Sequence, residues 1–404
     1  NPGRLGELVA AGVNDWGGVS PVTPDHVNPE APWPHLERLA SETEMAGKHL
    51  TERLTIYPAY IDDRQRWLDP NLHAPVLHWA DADGLARDGK WAAGWRHSEL
   101  PKPAPRSQRL GASRLLAQAR AGDGFTEAEI TALFSARGDE FEHICGAADQ
   151  LRQEVNGETV AYVVNRNINY TNVCTFKCTF CAFSKGKTHE DLRGAPYLID
   201  LDEIGRRSEE AWRRGATEVC MQGGIHPDFS GETYLDICKA VKAAVPEMHV
   251  HAFSPLEVTQ GATTLGLSIE DFLRELKKAG LSSLPGTAAE ILDDEVRATL
   301  CADKINTQQW LNVVGTAHQL GMPTTATIMF GHMEKPLHWA RHLLRIRNQQ
   351  LATGGFTEFV PLPFVHMEAP LFRRGLASPG PTYREAVLMH AVARLVLHPV
   401  ITNI

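Results

Sequence analysis

Three cysteines fall within eight residues in the run Cys174-Thr-Phe-Lys-Cys178-Thr-Phe-Cys181. This C-x3-C-x2-C array puts three thiolates in one turn of chain, enough to hold three irons of a four-iron, four-sulfur cubane. The fourth iron then lacks a protein ligand, and its open position lets a small chelating molecule bind and exchange electrons with the cluster. Phe180, just before the last cysteine, can shield the cluster from water. A structural zinc site is the alternative. Zinc closes a tetrahedron with four ligands, and no second C-x2-C or histidine pair is present, which leaves His189 as the candidate fourth ligand of a Cys3His site. The other four cysteines, Cys145, Cys220, Cys238 and Cys301, are scattered through periodic segments and read as small buried hydrophobes. Seven cysteines arranged this way do not make a disulfide framework.

Polar side chains gather near the cysteines at strand spacing. Period-two alternation puts Asn165, Asn167, Asn169 and Thr171 on one face, opposite Val164, Arg166, Ile168 and Tyr170. Inside a barrel these asparagines need partners, so they either satisfy one another or line a polar substrate cavity. His249, His251 and Phe253 likewise share a face, with Val250 and Ala252 toward the helices; the histidines are candidates for substrate contact or proton transfer, against the alternative of satisfied core positions. Thr327, Met329 and Glu358 are further lumen candidates. Met221-Gln222-Gly223-Gly224 ends another strand, where glycine permits close backbone approach or simply makes a turn.

The elements that must position these residues alternate. Runs at 160–173, 217–222, 247–253, 281–284, 323–330, 356–360 and 399–403 read as strands, with amphipathic helices between them. Strand–helix alternation implies a parallel sheet. No Gly-rich phosphate turn follows the first strand, so an α/β barrel fits better than a doubly wound sheet. The last strand ends beside Ile404 and residue 1 is Asn, so the chain is expected to be cut at both ends, with an eighth strand and its helix outside it. Ahead of the barrel at 159–404 lies a helical lead-in at 108–158, where Thr126 and Glu129 form a capping box ahead of Ile130, Leu133 and Phe134 and a second helix covers 138–154. Residues 63–107 read as irregular, ending in the stiff linker Pro101-Lys-Pro-Ala-Pro105. Residues 1–62 are loop up to 34 and then a short helix over 35–62.

At 404 residues the chain can bury a core, and 43% hydrophobic with 22% charged residues is ordinary for globular proteins. A net charge of -9 gives no basic footprint for nucleic acid. No stretch approaches the roughly 20 apolar residues that span a bilayer, and the first residues do not form an apolar leader, so no membrane partner and a cytoplasmic location are expected.

The cysteine array, with an aromatic before its last member and placed after the first strand of a parallel barrel, resembles the radical S-adenosylmethionine (SAM) superfamily. That resemblance implies a TIM-type barrel with a [4Fe–4S] cluster on Cys174, Cys178 and Cys181. It also implies SAM chelated at the open iron and cleaved by one electron to methionine and a 5′-deoxyadenosyl radical, which abstracts hydrogen from substrate. Gln222, Gly223 and Gly224 then correspond to the segment that binds the SAM methionine amine. Glu290, in Pro285-Gly-Thr-Ala-Ala-Glu-Ile291, and Arg297 correspond to an acid and an arginine that contact the same amine and carboxylate; a helical salt-bridge network is the alternative.

The runs Val163–Cys174, Phe180–Phe183, Met221–Asp228 and Pro285–Ile291 are similar to one subgroup, the deazaflavin-forming and menaquinone-precursor enzymes. The resemblance is nearest to the tyrosine-using half of the FO synthase family and covers about 110–404. Residues 12–33 resemble the end of that family's other, ring-closing lyase half, making 1–62 its C-terminal remnant. The family implies L-tyrosine and 5-amino-6-(D-ribitylamino)uracil as substrates, joined by transfer of a 4-hydroxybenzyl fragment, and an electron donor such as ferredoxin or flavodoxin. Asn165, Asn167 and Asn169 are then candidates for the uracil or ribityl groups. A futalosine-type radical enzyme and a metal-stabilised binding module are the alternatives.

Overall fold

The computed structural model describes residues 5–19, 36–95, 112–122, 124–184 and 195–404. The proline-rich linker at 101–105, the run 20–34 and His189 lie outside these. Ahead of the first strand come α1 (Leu5–Ala10), α2 (Leu36–Met45), α3 (Pro58–Asp62), α4 (Arg64–Trp67), α5 (Pro70–Trp79), α6 (Ala112–Ala121), α7 (Glu127–Phe134) and α8 (Gly138–Asn156). Five strands follow: β1 (Asn165–Asn169), β2 (Glu218–Gln222), β3 (His249–Ala252), β4 (Thr324–Phe330) and β5 (Phe356–Pro363). Between them run α9 (Leu201–Arg213), α10 (Gly231–Ala244), α11 (Pro255–Leu265), α12 (Ile269–Ala279), α13 (Asp294–Leu300), α14 (Thr307–Gln319) and α15 (Pro336–Thr353), and α16 (Pro370–Arg373) and α17 (Tyr383–Leu397) come last.

The strands are parallel and lie in chain order. β1 pairs with β2, β2 with β3, and β4 with β5. Residues 281–284 join the two sets, because Ser283 bridges His251 and Leu284 bridges Thr324, both parallel. Ser282 N–H donates to Val250 O and Thr325 N–H to Leu284 O, at 2.9 and 3.0 Å. Six parallel segments thus form an arc of a barrel, with no strand closing β1 onto β5 among the described residues.

Local sequence explains the helices that clad the arc. In α12, Ser268 caps the N-terminus, Phe272, Leu273 and Leu276 are buried at helical spacing, and Gly280 ends the helix at φ 111°. Each such buried side chain contributes about 1.5–3 kcal/mol. The capping box at α7 is formed as expected, Thr126 Oγ1 accepting from Glu129 N–H and Glu129 Oε2 from Thr126 N–H, and Ile130 and Phe134 are buried. Ile168, Val219, Met221, Val250 and Ala252 face α9–α12 in one core, while β4 and β5 share a second with α6, α7, α8, α15 and α17.

The structure differs from the sequence reading in four places. Residues 399–403 are not a strand: Asn403 O accepts from Phe359 N–H, but Gln350 and Arg394 side chains take the Val400 and Thr402 carbonyls, so β-prone residues are pinned without a ladder. The stretch 63–100 is not irregular throughout, since Asp69 caps α5 and Pro70 opens it. Helix does not run through 35–62 but stops at Met45 and resumes at Pro58. Phe253 leaves the lumen face because its φ of 50° breaks the alternation, and its ring packs in the core against Tyr170 and Tyr234.

Residues ahead of the proline run dock on the barrel. Asp81 and Asp83 accept from Arg137 at 2.6 and 2.9 Å, Ala82 N–H donates to buried Glu385, and Arg87 donates to Gly380 O and Pro381 O.

One buried histidine makes the fold acid-sensitive. His318, 8% exposed, has both ring nitrogens on threonine hydroxyls, Nδ1 with Thr353 at 2.7 Å and Nε2 with Thr324 at 2.8 Å. Burial pushes its pKa down to about 4. The folded state therefore binds fewer protons than the unfolded one below pH 6.5, and stability present above that pH is lost as pH falls toward 4. The expected loss is on the order of 3 kcal/mol. Urea unfolding at pH 7 and pH 4 checks it, and His318→Gln should shrink the difference, leaving the part contributed by buried His342, whose pKa burial lowers to about 3.

Candidate active site

The loop after β1 is pinned from two sides. On the β2 side, Gly224 N–H donates to Thr171 O and Thr175 N–H to Ile225 O, both at 2.9 Å. On the α13 and α16 side, Thr179 N–H donates to Leu300 O, Leu371 N–H to Thr179 O, and Lys177 N–H to Asp303 Oδ2. Cys174, Cys178 and Cys181 are all half-buried in this loop. Two sulfurs receive backbone donors, Cys174 Sγ from Ile225 N–H and Cys181 Sγ from Ser184 N–H, both at 3.3 Å. Such donors stabilise thiolates that ligate a cluster. Cys178, Phe180, Met329 and Met333 all pack against one apolar cluster that includes Leu300, Cys301 and Phe364. Burial pushes Cys178 up to about 12, so ligation relies on the metal's charge to displace its proton. Three thiols, two of them with amide donors, beside an apolar wall fit an iron–sulfur cluster.

The Gly-Gly turn buttresses this loop. A Cβ on Gly224 would lie 2.2 Å from Val173 O and 2.9 Å from Cys174 Cβ, and one on Gly223 would lie 2.3 Å from the Tyr170 ring. Their amides are taken, Gly224's by Thr171 O and Gly223's by Glu257 Oε1 at 3.1 Å. Glu257 closes the Ser254-Pro-Leu-Glu257 capping box that opens α11, a motif the sequence reading passed over. It is fully buried and accepts from Gly223 N–H, Tyr170 Oη, and Ser254 N–H and Oγ. Burial raises its pKa and these donors oppose the rise. Gln222 O accepts from Asn169 Nδ2 at 3.2 Å.

Glu290 and Arg297 part company. Arg297 is 3% exposed; its Nη1 donates to Ala288 O, Ala289 O and Ile291 O, and its Nη2 to Ile305 O. Both terminal nitrogens thus sit on loop carbonyls, rather than standing free for the SAM carboxylate that the resemblance implies, while the buried Nε has no hydrogen-bond partner among the described residues. Arg297 instead braces a segment in which Ala288 and Glu290 hold φ of 64° and 46°. Glu290 reaches the cluster side and meets Lys304 Nζ at 3.0 Å. Lys304 lies 5.1 Å from the Phe180 ring centroid. Burial works against its charge, but Glu290, with smaller contributions from the Cys178 and Cys301 side chains, holds its pKa above the usual lysine value.

The inner face of the arc is polar in layers. Pairing aligns Asn165 with Glu218 and Glu218 with His249, then Asn167 with Cys220 and Cys220 with His251, then Asn169 with Gln222. Asn165 Nδ2 donates to Glu218 Oε1 and Asn167 Nδ2 to Asn169 Oδ1, both at 3.2 Å. Cys220 is therefore half-buried on this face rather than a core hydrophobe, whereas Cys238 and Cys301 are buried. Ser283 Oγ lies 2.7 Å from both His249 Nε2 and His251 Nδ1. Glu218, His249 and His251 place three ligand atoms within 4.8 Å of one another, a set that could hold a metal ion. Glu358 faces this group, its pKa raised by burial and by the Glu218 charge. Thr327 is used otherwise, its hydroxyl donating to Gly286 O at 2.7 Å, and Met329 packs against the same apolar cluster as Cys178. Lys304 and Ser283 carried no sequence signal, because their partners lie 14 to 34 residues away, and the Ser254–Glu257 capping box gives no sign that Glu257 also reaches Gly223 and Tyr170, 34 and 87 residues away.

Comparison with known proteins places this geometry. The model of the Radical SAM superfamily matches residues 168–346. The FO synthase of Streptomyces coelicolor is 45% identical, covering 98% of this chain and 51% of its own, and that of Mycobacterium tuberculosis is 44% identical with the same coverage. The chain thus spans about half the length of these relatives. The 5-amino-6-(D-ribitylamino)uracil–L-tyrosine 4-hydroxyphenyl transferase of Methanopyrus kandleri is 51% identical, covering 64% of this chain and 69% of its own. Among solved structures, the hydrogenase maturase HydG from Carboxydothermus hydrogenoformans matches with a TM-score of 0.52 at 16% identity, over 71% of this chain and 63% of its own. Methylornithine synthase (PylB) matches with a TM-score of 0.50 at 17% identity, over 71% and 84%. These two show the fold. No helix among the described residues is long and apolar enough to cross a membrane. With its cysteine loop at the C-terminal end of a parallel arc and these relatives, the chain belongs to the radical SAM superfamily, within the family shared by the FO synthases and the Methanopyrus kandleri transferase.

Proposed function

We propose that this chain joins the 4-hydroxybenzyl fragment of L-tyrosine to 5-amino-6-(D-ribitylamino)uracil, as the transferase part of a two-centre FO synthase. The observation that carries this reading is the relative named for that transfer, half-identical over 258 residues. Cys174, Cys178 and Cys181 hold the cluster, which together with SAM supplies one-electron cleavage to a 5′-deoxyadenosyl radical. Gln222, Gly223 and Gly224, through their carbonyls, and Glu290 face the SAM methionine amine; Arg297 holds Glu290 in place. Asn165, Asn167 and Asn169 present amides to the uracil and ribityl groups, and His249 and His251 move protons. A small one-electron carrier such as ferredoxin or flavodoxin serves as donor.

Residues 1–62 are assigned to the end of the ring-closing lyase half. The FO synthase alignment takes in 98% of the chain, against 64% for the single-function transferase, which supports that assignment. Anaerobically reconstituted protein, given SAM, dithionite, tyrosine and the diaminouracil, should form a hydroxybenzyl-uracil adduct detectable by mass. SAM cleavage without adduct, or product from a futalosine-type substrate instead, overturns the reading.

A further inference from the structure

The lumen contains an unbroken hydrogen-bond chain that runs along the barrel axis. His251 pairs with Cys220 and His249 with Glu218, so His251 sits two residues, about 6.6 Å, nearer the strand ends that carry the cluster loop. Ser283 Oγ joins the two rings at 2.7 Å on each side. A hydroxyl has one proton, so it donates to one ring nitrogen while accepting from the N–H of the other. At the far end the His249 side chain is 42% exposed, and Glu218 Oε2 lies 3.9 Å from its Nε2. The groups facing this chain are Glu218 and Cys220 on β2 and Glu358 on β5. Burial, ahead of the opposing Glu218 charge, keeps the His251 pKa below its usual value, so its ring is neutral and able to accept a proton near pH 7.

We propose that His251, Ser283 and His249 form a relay that removes a proton from the uracil substrate and delivers it to solvent at the floor of the barrel. The proposal rests on the transferase reading. Hydrogen abstraction from tyrosine breaks its Cα–Cβ bond, leaving the amino-acid end as the glycine imine, and bonding the released 4-hydroxybenzyl radical to C5 of the enamine-like uracil consumes the C5=C6 π bond and leaves one unpaired electron at C6. One electron then passes to a one-electron acceptor of the iron–sulfur class, the exocyclic N–H on C6 loses its proton, and a C6=N bond forms. That proton goes to His251 Nε2, the Nδ1 proton passes to Ser283 Oγ, the hydroxyl proton passes to His249 Nε2, and His249 Nδ1 releases one to water. Glu218 stabilises the transient His249 cation. Glu218, His249 and His251 are not read as a metal site, because Ser283 already occupies His249 Nε2 and His251 Nδ1.

His251 is the catalytic residue here, and Ser283 and His249 act through it. The test compares product formed per 5′-deoxyadenosine in wild-type, Ser283→Ala and Ser283→Thr enzymes, each with its cluster absorbance measured and its pH profile taken from 6 to 9. Ser283→Ala should keep forming 5′-deoxyadenosine while adduct per deoxyadenosine falls about 10- to 100-fold. Ser283→Thr, which keeps the hydroxyl, should recover to within about threefold of wild type, and the alanine variant should regain yield at high pH where hydroxide substitutes as base. Wild-type adduct with unchanged coupling in Ser283→Ala overturns the relay alone. Absence of adduct from wild type overturns the transferase reading and the relay with it.

Discussion

Cys178→Ala protein, reconstituted anaerobically, should retain its fold, lose the brown absorbance of the cluster and cleave SAM at least about a thousandfold more slowly. Two sulfurs cannot hold a cubane whose fourth iron must stay open, so removing any of the three removes the site rather than weakening it. The loop itself survives the change, because its anchors are backbone bonds from Thr179 to Leu300 and Leu371 and from Lys177 to Asp303, none of which involves the thiol. Cys238→Ala is the matching control. Cys238 is a fully buried residue of α10, away from the loop, and its loss should cost about 1 kcal/mol of stability while leaving iron content intact. Iron per protein and 5′-deoxyadenosine yield, measured side by side, distinguish the two classes of cysteine.

Gly224→Ala is expected to destabilise the protein by about 3 kcal/mol and to lower cluster occupancy several-fold. The added methyl group would meet Val173 O at 2.2 Å and Val173 C at 2.7 Å, and these are backbone atoms of the segment leading into Cys174. No side-chain rotation relieves such a contact; the turn must move away from the cysteine loop, breaking the bonds from Gly224 N–H to Thr171 O and from Ile225 N–H to Cys174 Sγ. Gly205, inside α9, offers the opposite case, since its nearest neighbour would be Ala244 Cβ at 3.6 Å. Gly205→Ala should stabilise the fold by about 0.5–1 kcal/mol. Urea denaturation and iron analysis on both variants test the contrast.

What could be read from sequence followed how local each signal is. The cysteine array, the Thr126 capping box and the alternation of Asn165, Asn167 and Asn169 are written in neighbouring residues, and each appears in the structure where its spacing places it. Residues 399–403 have β-prone side chains, yet strand formation needs a partner ladder, and Gln350 and Arg394 claim two of the carbonyls. Arg297 shows the limit most clearly. Its place after Glu290 suggested a ligand contact, but whether a guanidinium meets a substrate or four backbone carbonyls depends on how 288–305 folds back on itself. Glu257 under the Gly-Gly turn, Lys304 beside Glu290 and Ser283 between two histidines are products of the same long-range closure.

The account stands on three cysteines holding a cluster with one iron open to SAM, and electron paramagnetic resonance of the reconstituted, dithionite-reduced protein tests it directly. The prediction is about four irons per chain and a reduced-cluster signal whose g values shift when SAM is added. A colourless protein carrying one zinc, or an iron signal indifferent to SAM, would contradict it.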